Sequence, residues 1–172
     1  MDDVIITAAL GTAFTGETGS TSTSNANTIA HGSAGLTIAK LRTAKQTLDL
    51  NSVDPSIPRY IIVGPKQITD LLGTTEVTSS DFNTVKALAN GEINSFLGFN
   101  FIVSNRLSLS GTTRSCIAYA QDGIALAVGK DTTARIDERS DKSYATQVYY
   151  CATFGATRME EDKVVEVQAT ES

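Results

Sequence analysis

The sequence predicts an α+β fold with more strand than helix, on three observations. Serine and threonine total 39 residues against 33 charged ones in a chain of 172, and threonine suits a pleated surface because its β-branched side chain packs well there. Helical spacing of apolar residues is confined to short patterns between Ile38 and Gly91. Beyond Phe99 the apolar residues form short runs or alternate, the signature of strands.

Size and composition fit one domain with a real core, at 41% hydrophobic and 19% charged residues. No apolar run approaches the roughly 18 to 20 residues of a membrane helix, and no charged segment followed by an apolar one opens the chain, so neither a membrane span nor standard export is expected. The net charge of -5 argues against a dedicated nucleic-acid binder, whose affinity rests on Lys and Arg neutralising phosphates.

Residues 1–35 hold no Lys or Arg, and from Gly11 to Ala34 14 of 24 residues are Ser, Thr or Gly. Such a stretch buries too little surface to offset its ordering entropy, so an extended arm is expected, mobile or docked on a neighbouring subunit, with Val4–Leu10 as a tethering strand. Thr37 then reads as an N-cap, with Leu36 and Leu41 at the spacing of a hydrophobic staple. Ile38, Leu41, Ala44 and Leu48 continue at helical spacing, predicting a helix over 38–48 that ends before Asn51, Asp54, Pro55 and Pro58.

Tyr60–Val63 lies between Pro58 and Gly64-Pro65 and reads as a strand buried on both faces. Pro65 is suited to a helix start, with Ile68, Leu71 and Leu72 as its apolar stripe and Gly73 as its stop. A further helix is predicted from a cap at Ser79 or Ser80 through Phe82, Val85, Leu88 and Ala89 to Gly91. Strands are predicted over 99–103, 115–120 and 124–128, the last two joined by a tight turn at Gln121-Asp122-Gly123. Residues 144–154 alternate on both faces and suggest a long strand covered on both sides. After Glu160-Glu161-Asp162, Val164, Val165 and Val167 mark the final strand.

No constellation of residues makes a credible active site. His31, the single histidine, lies in the hydroxyl-rich segment without a rigid scaffold to hold a nucleophile and a carboxylate around it. Gly64-Pro65-Lys66 lacks the GxxxxGK[ST] pattern, and Pro65 removes a backbone donor. Cys116 and Cys151 sit in strand-like runs and read as two buried thiols, without zinc spacing. The acids Asp137, Glu138 and Asp141, and Glu160, Glu161 and Asp162, read as surface turns rather than as a glycosidase pair or a metal site. No catalytic residue, metal or cofactor is expected. The basic stripe Lys40, Arg42 and Lys45 faces nucleic acid, acidic loops of a neighbouring copy, or water.

Five stretches resemble the major capsid proteins of tailed bacteriophages: LTIAKLRTAKQTLD (36–49), RYIIVGPKQITDLL (59–72), DFNTVKALANGEINSFLGFNFIVSNRL (81–107), AYAQDGIALAVGKD (118–131) and SYATQVYYCATFGATRMEEDKVVEV (143–167). The resemblance implies the Hong Kong 97-like fold and a non-catalytic shell subunit of a phage or prophage that forms pentamers and hexamers of an icosahedral capsid around DNA. It divides the chain into an arm (1–35), the spine helix of the peripheral domain (36–58), an axial domain (59–115) and peripheral strands with the C-terminus (116–172). Its partners would be copies of itself, with scaffolding and portal proteins, and packaged DNA only indirectly. Its location would be the virion, and the host cytoplasm during assembly. Lys40, Arg42, Lys45, Asp137, Glu138, Arg139, Asp141 and Lys142 are the expected inter-subunit contacts. Family members usually carry a longer N-terminal portion with an arm and an extended loop, so a truncated subunit or degenerate gene is expected. The alternative is an encapsulin-like compartment shell, or a binding module of the same fold; a hydrolase using the acidic clusters is the third class.

Overall fold

A computed structural model describes residues 1–15, 17–73 and 95–171. Among them, helices α1 (Asp2–Leu10), α2 (Ile38–Leu50) and α3 (Pro65–Leu72) accompany a mixed sheet and two separate hairpins. The helix expected from Ser79 to Gly91 lies outside the described residues.

The main sheet runs in the order β3 (Thr28–Ile29), β11 (Val164–Thr170), β8 (Thr113–Ala120), β4 (Arg59–Val63), β6 (Phe99–Val103) and β5 (Ser95–Phe96), with β7 (Leu109–Ser110) also paired to β8. The pairs β4 with β6 and β3 with β11 are parallel, and the others are antiparallel. Ile61, Val63, Cys116, Ala118, Val165 and Val167 are fully buried, which is why β4 and β8 read as continuous apolar runs. Tyr60 and Tyr119 stack across the β4–β8 pair with ring centroids 5.7 Å apart.

Helix α2 packs Ile38, Leu41, Ala44 and Leu48 into this core. Its start follows the local rules, since the backbone N–H of Lys40 donates to the Thr37 hydroxyl and Leu36 is buried with Leu41. It runs two residues beyond the expected end, to Leu50, and Ser52 takes a left-handed conformation just past the cap. In α3, Pro65 opens the helix while Gln67, Ile68 and Leu71 face inward.

Three expectations are corrected. Residues 4–10 form helix, not strand. The β-branched run suggested a strand, but Asp2 and Asp3 in the first turn favour the helix dipole, and Ile6 and Ala9 are buried at helical spacing. The segment after Gly11 is tied to its own chain rather than free. It forms the hairpin of β1 (Ala13–Thr15) with β2 (Thr21–Thr23) and then adds β3 in parallel to β11. There the Asn27 amide donates to the Glu161 carbonyl, and the backbone N–H groups of Glu166 and Thr170 donate to the carbonyls of Asn27 and Ala34. Finally, the strand starting at Ile124 continues to Arg139 as β9 and pairs with β10 (Ala145–Arg158) alone. Residues 144–150 are therefore exposed, not covered on both sides, and Cys151 is half-buried while Cys116 is fully buried.

Candidate inter-subunit surface

The β9–β10 hairpin is a two-stranded ribbon whose far half carries no third layer among the described residues. Opposite residues of an antiparallel pair point to the same face. Ile136 faces Val148, Ala134 faces Tyr150 and Glu138 faces Thr146, so these share one side. Arg135, Asp137 and Arg139 share the other with Tyr149, Gln147 and Ala145. Irregularities between Cys151 and Phe154 place the surplus residues on β9 and leave β10 alternating, so Val128 and Leu126, opposite Phe154 and Ala156, prolong the apolar side toward the base. Ile136 is 70% exposed, Val148 67% and Tyr150 67%. A hairpin of two strands is marginally stable by itself in water.

The tip reverses through a 3-10 turn at Ser140–Lys142, with Ser143 and Tyr144 both at positive φ. Arg139 donates through Nε and Nη2 to both carboxylate oxygens of Asp141. This pairing holds the Asp141 carboxyl below its ordinary range and raises the Arg139 guanidinium. Asp137, Glu138 and Lys142 are exposed and make no salt bridge among the described residues. Nearer the base, hydrogen bonds from Lys130 and Tyr149 lower the Cys151 thiol, and the tyrosine is raised in turn.

The basic stripe on α2 divides. Lys40 turns inward, its Nζ within 2.7 Å of the carbonyl oxygens of His31, Ala34 and Gly35 and 3.0 Å from that of Gln168. Its three protons serve four acceptors, and burial lowers its pKa. This ammonium fastens the 31–35 loop to β11 and is spent within its own chain. Arg42 and Lys45 remain on the exposed face. Asp49, one turn beyond Lys45, instead pairs with Arg59 Nη1 at 2.7 Å, while Arg59 Nη2 donates to the Val53 carbonyl. A cleft of about 570 Å³ opens there between Lys45, Pro55, Pro58, Arg59, Leu97 and Gly98.

The remaining candidate groups have structural partners. His31 accepts from the Ser33 N–H through Nδ1, which also lies 3.1 Å from the Thr170 hydroxyl. Lys66, beside Pro65, pairs with Asp70 one turn on in α3. Burial pushes the Cys116 thiol up to about 12. Glu160 pairs with Lys163, which also binds Asp122, and Glu161 pairs with Arg158. No group of three potential ligands converges on a metal position among the described residues.

Besides Arg59, two further arginines escaped sequence reasoning. Buried Arg158 donates Nη1 to the carbonyls of Ala9 and Gly11, and Nη2 to the Thr23 carbonyl and Glu161. It thereby joins α1, the β1–β2 hairpin and the 160s turn. A clue was present, since Arg158 falls on the same alternation as Val148, Tyr150 and Phe154, where an isolated charge needs partners. Arg114 grips Glu171 with Nε and Nη2 and caps the Leu107 carbonyl with Nη1.

Among the described residues, three helices beside a mixed sheet, with a separate two-stranded ribbon, make up the Hong Kong 97-like fold of tailed-phage capsids. A structure from Mycobacterium phage Che8 superposes with a TM-score of 0.69 at 19% identity, over 96% of this chain and 55% of that one. The head structure of Helicobacter pylori bacteriophage KHP40 gives 0.69 at 13% identity, over 99% and 65%. The SrpI encapsulin complex from Synechococcus elongatus PCC 7942 gives 0.55 at 10% identity, over 84% and 53%. The chain thus spans between about half and two thirds of the length of these solved chains. Among curated protein sequences none matches. Residues 1–171 match the phage capsid protein family, and the chain belongs to that family.

Proposed function

We propose that the chain is a structural subunit, or a large part of one, of a phage or prophage major capsid, which assembles with copies of itself into pentamers and hexamers of an icosahedral shell around DNA. The observation that carries this is the family match over 1–171, and the ribbon supports it by offering an exposed apolar face suited to an interface. We read the subunit as non-catalytic, with its location in the virion and, during assembly, in the host cytoplasm. Scaffolding and portal proteins would be its further partners.

Arg42, Lys45, Asp137, Glu138, Arg139, Asp141 and Lys142 are proposed as inter-subunit contacts; Lys40 is excluded because its ammonium is engaged at home. We assign residues 59–115 mainly to the axial domain and 36–58 with 116–172 to the peripheral one. Chain order supports that division, although β4, β8 and β11 make one continuous sheet across it. The second reading is a compartment shell, favoured by the likeness to the SrpI encapsulin. Electron microscopy of the expressed chain, with nucleic acid measured in the purified particles, tests both. Nucleic-acid-filled shells are expected of a capsid, and shells holding only protein of a compartment. Absence of any closed particle counts against both.

A further inference from the structure

We propose that the exposed face of α2, with the cleft beside it, receives the tip of the β9–β10 hairpin of a second copy, in a head-to-tail contact that closes a ring. This rests on the shell-subunit reading and names the surfaces that would build the ring. Arg42, Lys45, Gln46, Asp49, Leu50 and Leu97 line a shallow groove of about 450 Å³. Lys45, Asp49 and Leu97 also border the cleft floored by Arg59, so the two depressions are continuous.

The groove is both apolar and basic. Leu50 is 74% exposed, an expensive position for a leucine that stays in water. Because Asp49 is engaged by Arg59, Arg42 and Lys45 have no salt-bridge partner among the described residues. The complement lies on the side of the hairpin tip that holds Glu138. Glu138 stands on the same side of the ribbon as Ile136 and Val148, while Asp137 next to it faces the opposite side, and neither acid is paired among the described residues. Seating the tip sets Ile136 and Val148 against Leu50 and Leu97, and brings Glu138 to Arg42 and Lys45. The apolar part supplies burial, and the charges supply register and discrimination, which is what rim charges do best. Groove and tip are different patches of one chain. Their union is therefore heterologous, and a heterologous contact repeats into a ring when its rotation closes.

The experiment uses two charge-reversed forms of the full chain. One carries Arg42→Glu with Lys45→Glu, and the other carries Asp137→Lys with Glu138→Lys. Each alone is expected to lose higher-order species in sedimentation velocity, with at least a tenfold rise in the concentration needed for half assembly, while its far-ultraviolet circular dichroism is unchanged. An equimolar mixture restores even-membered assemblies, because where the two forms alternate every groove meets a tip of opposite sign. Recovery on mixing also excludes misfolding of either form. If the reversed forms assemble like the parent, or the mixture remains monomeric, the contact is wrong while the shell reading stands. If the parent chain itself forms no higher-order species, the shell reading falls and this contact with it.

Discussion

Arg158 concentrates more of the fold than any other single charge described above. It reaches two helix-end carbonyls, one strand carbonyl and one carboxylate from a position 5% exposed, and the negative end of α1 welcomes its charge. Removing it leaves those acceptors unpaired, so Arg158→Ala should lower unfolding free energy by about 3 kcal/mol in urea denaturation, with Arg158→Lys recovering part of the loss. The pair Arg114–Glu171 makes a pH prediction. Hydrogen bonds from Arg114 first, and from Gln67 next, depress the Glu171 carboxyl below its usual value of 4.5. A carboxylate depressed on folding contributes stability above its unfolded pKa and loses it as pH falls through the folded one. Glu171→Gln should therefore flatten the acid side of the stability profile below about pH 4.5, measured by denaturation across pH, and leave its neutral-to-alkaline shape unchanged.

At the scale of elements, the β9–β10 ribbon is the part least explained by its own chain. Its base is anchored by α1 and Arg158, but from about residue 126 outward both faces meet solvent. Side chains there stabilise the subunit little, since surface substitutions away from special features usually stay within roughly 0.5 kcal/mol. Ile136→Thr with Val148→Thr should accordingly leave the unfolding midpoint of the isolated subunit nearly unchanged while raising the concentration needed for assembly, as read by light scattering. A large fall in subunit stability would mean that the ribbon packs on its own chain. The alternation over 144–154 was legible, because period two is a local property. Whether the strand was covered was not, because coverage depends on a third layer that local pattern does not encode.

For the whole molecule, the eight charged residues expected at interfaces separate into groups with different roles. Lys40 holds the chain to itself, Arg139 and Asp141 pair within the tip, and Arg42, Lys45, Asp137, Glu138 and Lys142 are left exposed. If the last group joins subunits, assembly weakens as salt rises from about 0.15 M to about 1 M, where the screening length falls from roughly 8 to 3 Å. A several-fold rise in the assembly concentration over that range is the expected outcome in sedimentation experiments. Association indifferent to salt would place the interface elsewhere.

By itself the sequence determined what nearest neighbours along the chain control. The Thr37 cap and the Ile38, Leu41, Ala44 and Leu48 stripe made α2, Pro65 opened α3, and Gln121-Asp122-Gly123 turned β8 into β9. The family resemblance, too, was carried by linear words. The tertiary structure decided what depends on residues far apart in sequence. Residues 4–10 became helix although four β-branched side chains argued for a strand, with Arg158 holding the Ala9 carbonyl from 149 positions away. The hydroxyl-rich segment beyond Gly11 became an annex of β11 because Asn27, Thr28 and Lys40 find partners there. Local composition measures how little such a segment can bury alone, whereas the sheet edge supplies the missing hydrogen-bond partners only after the rest of the chain has folded.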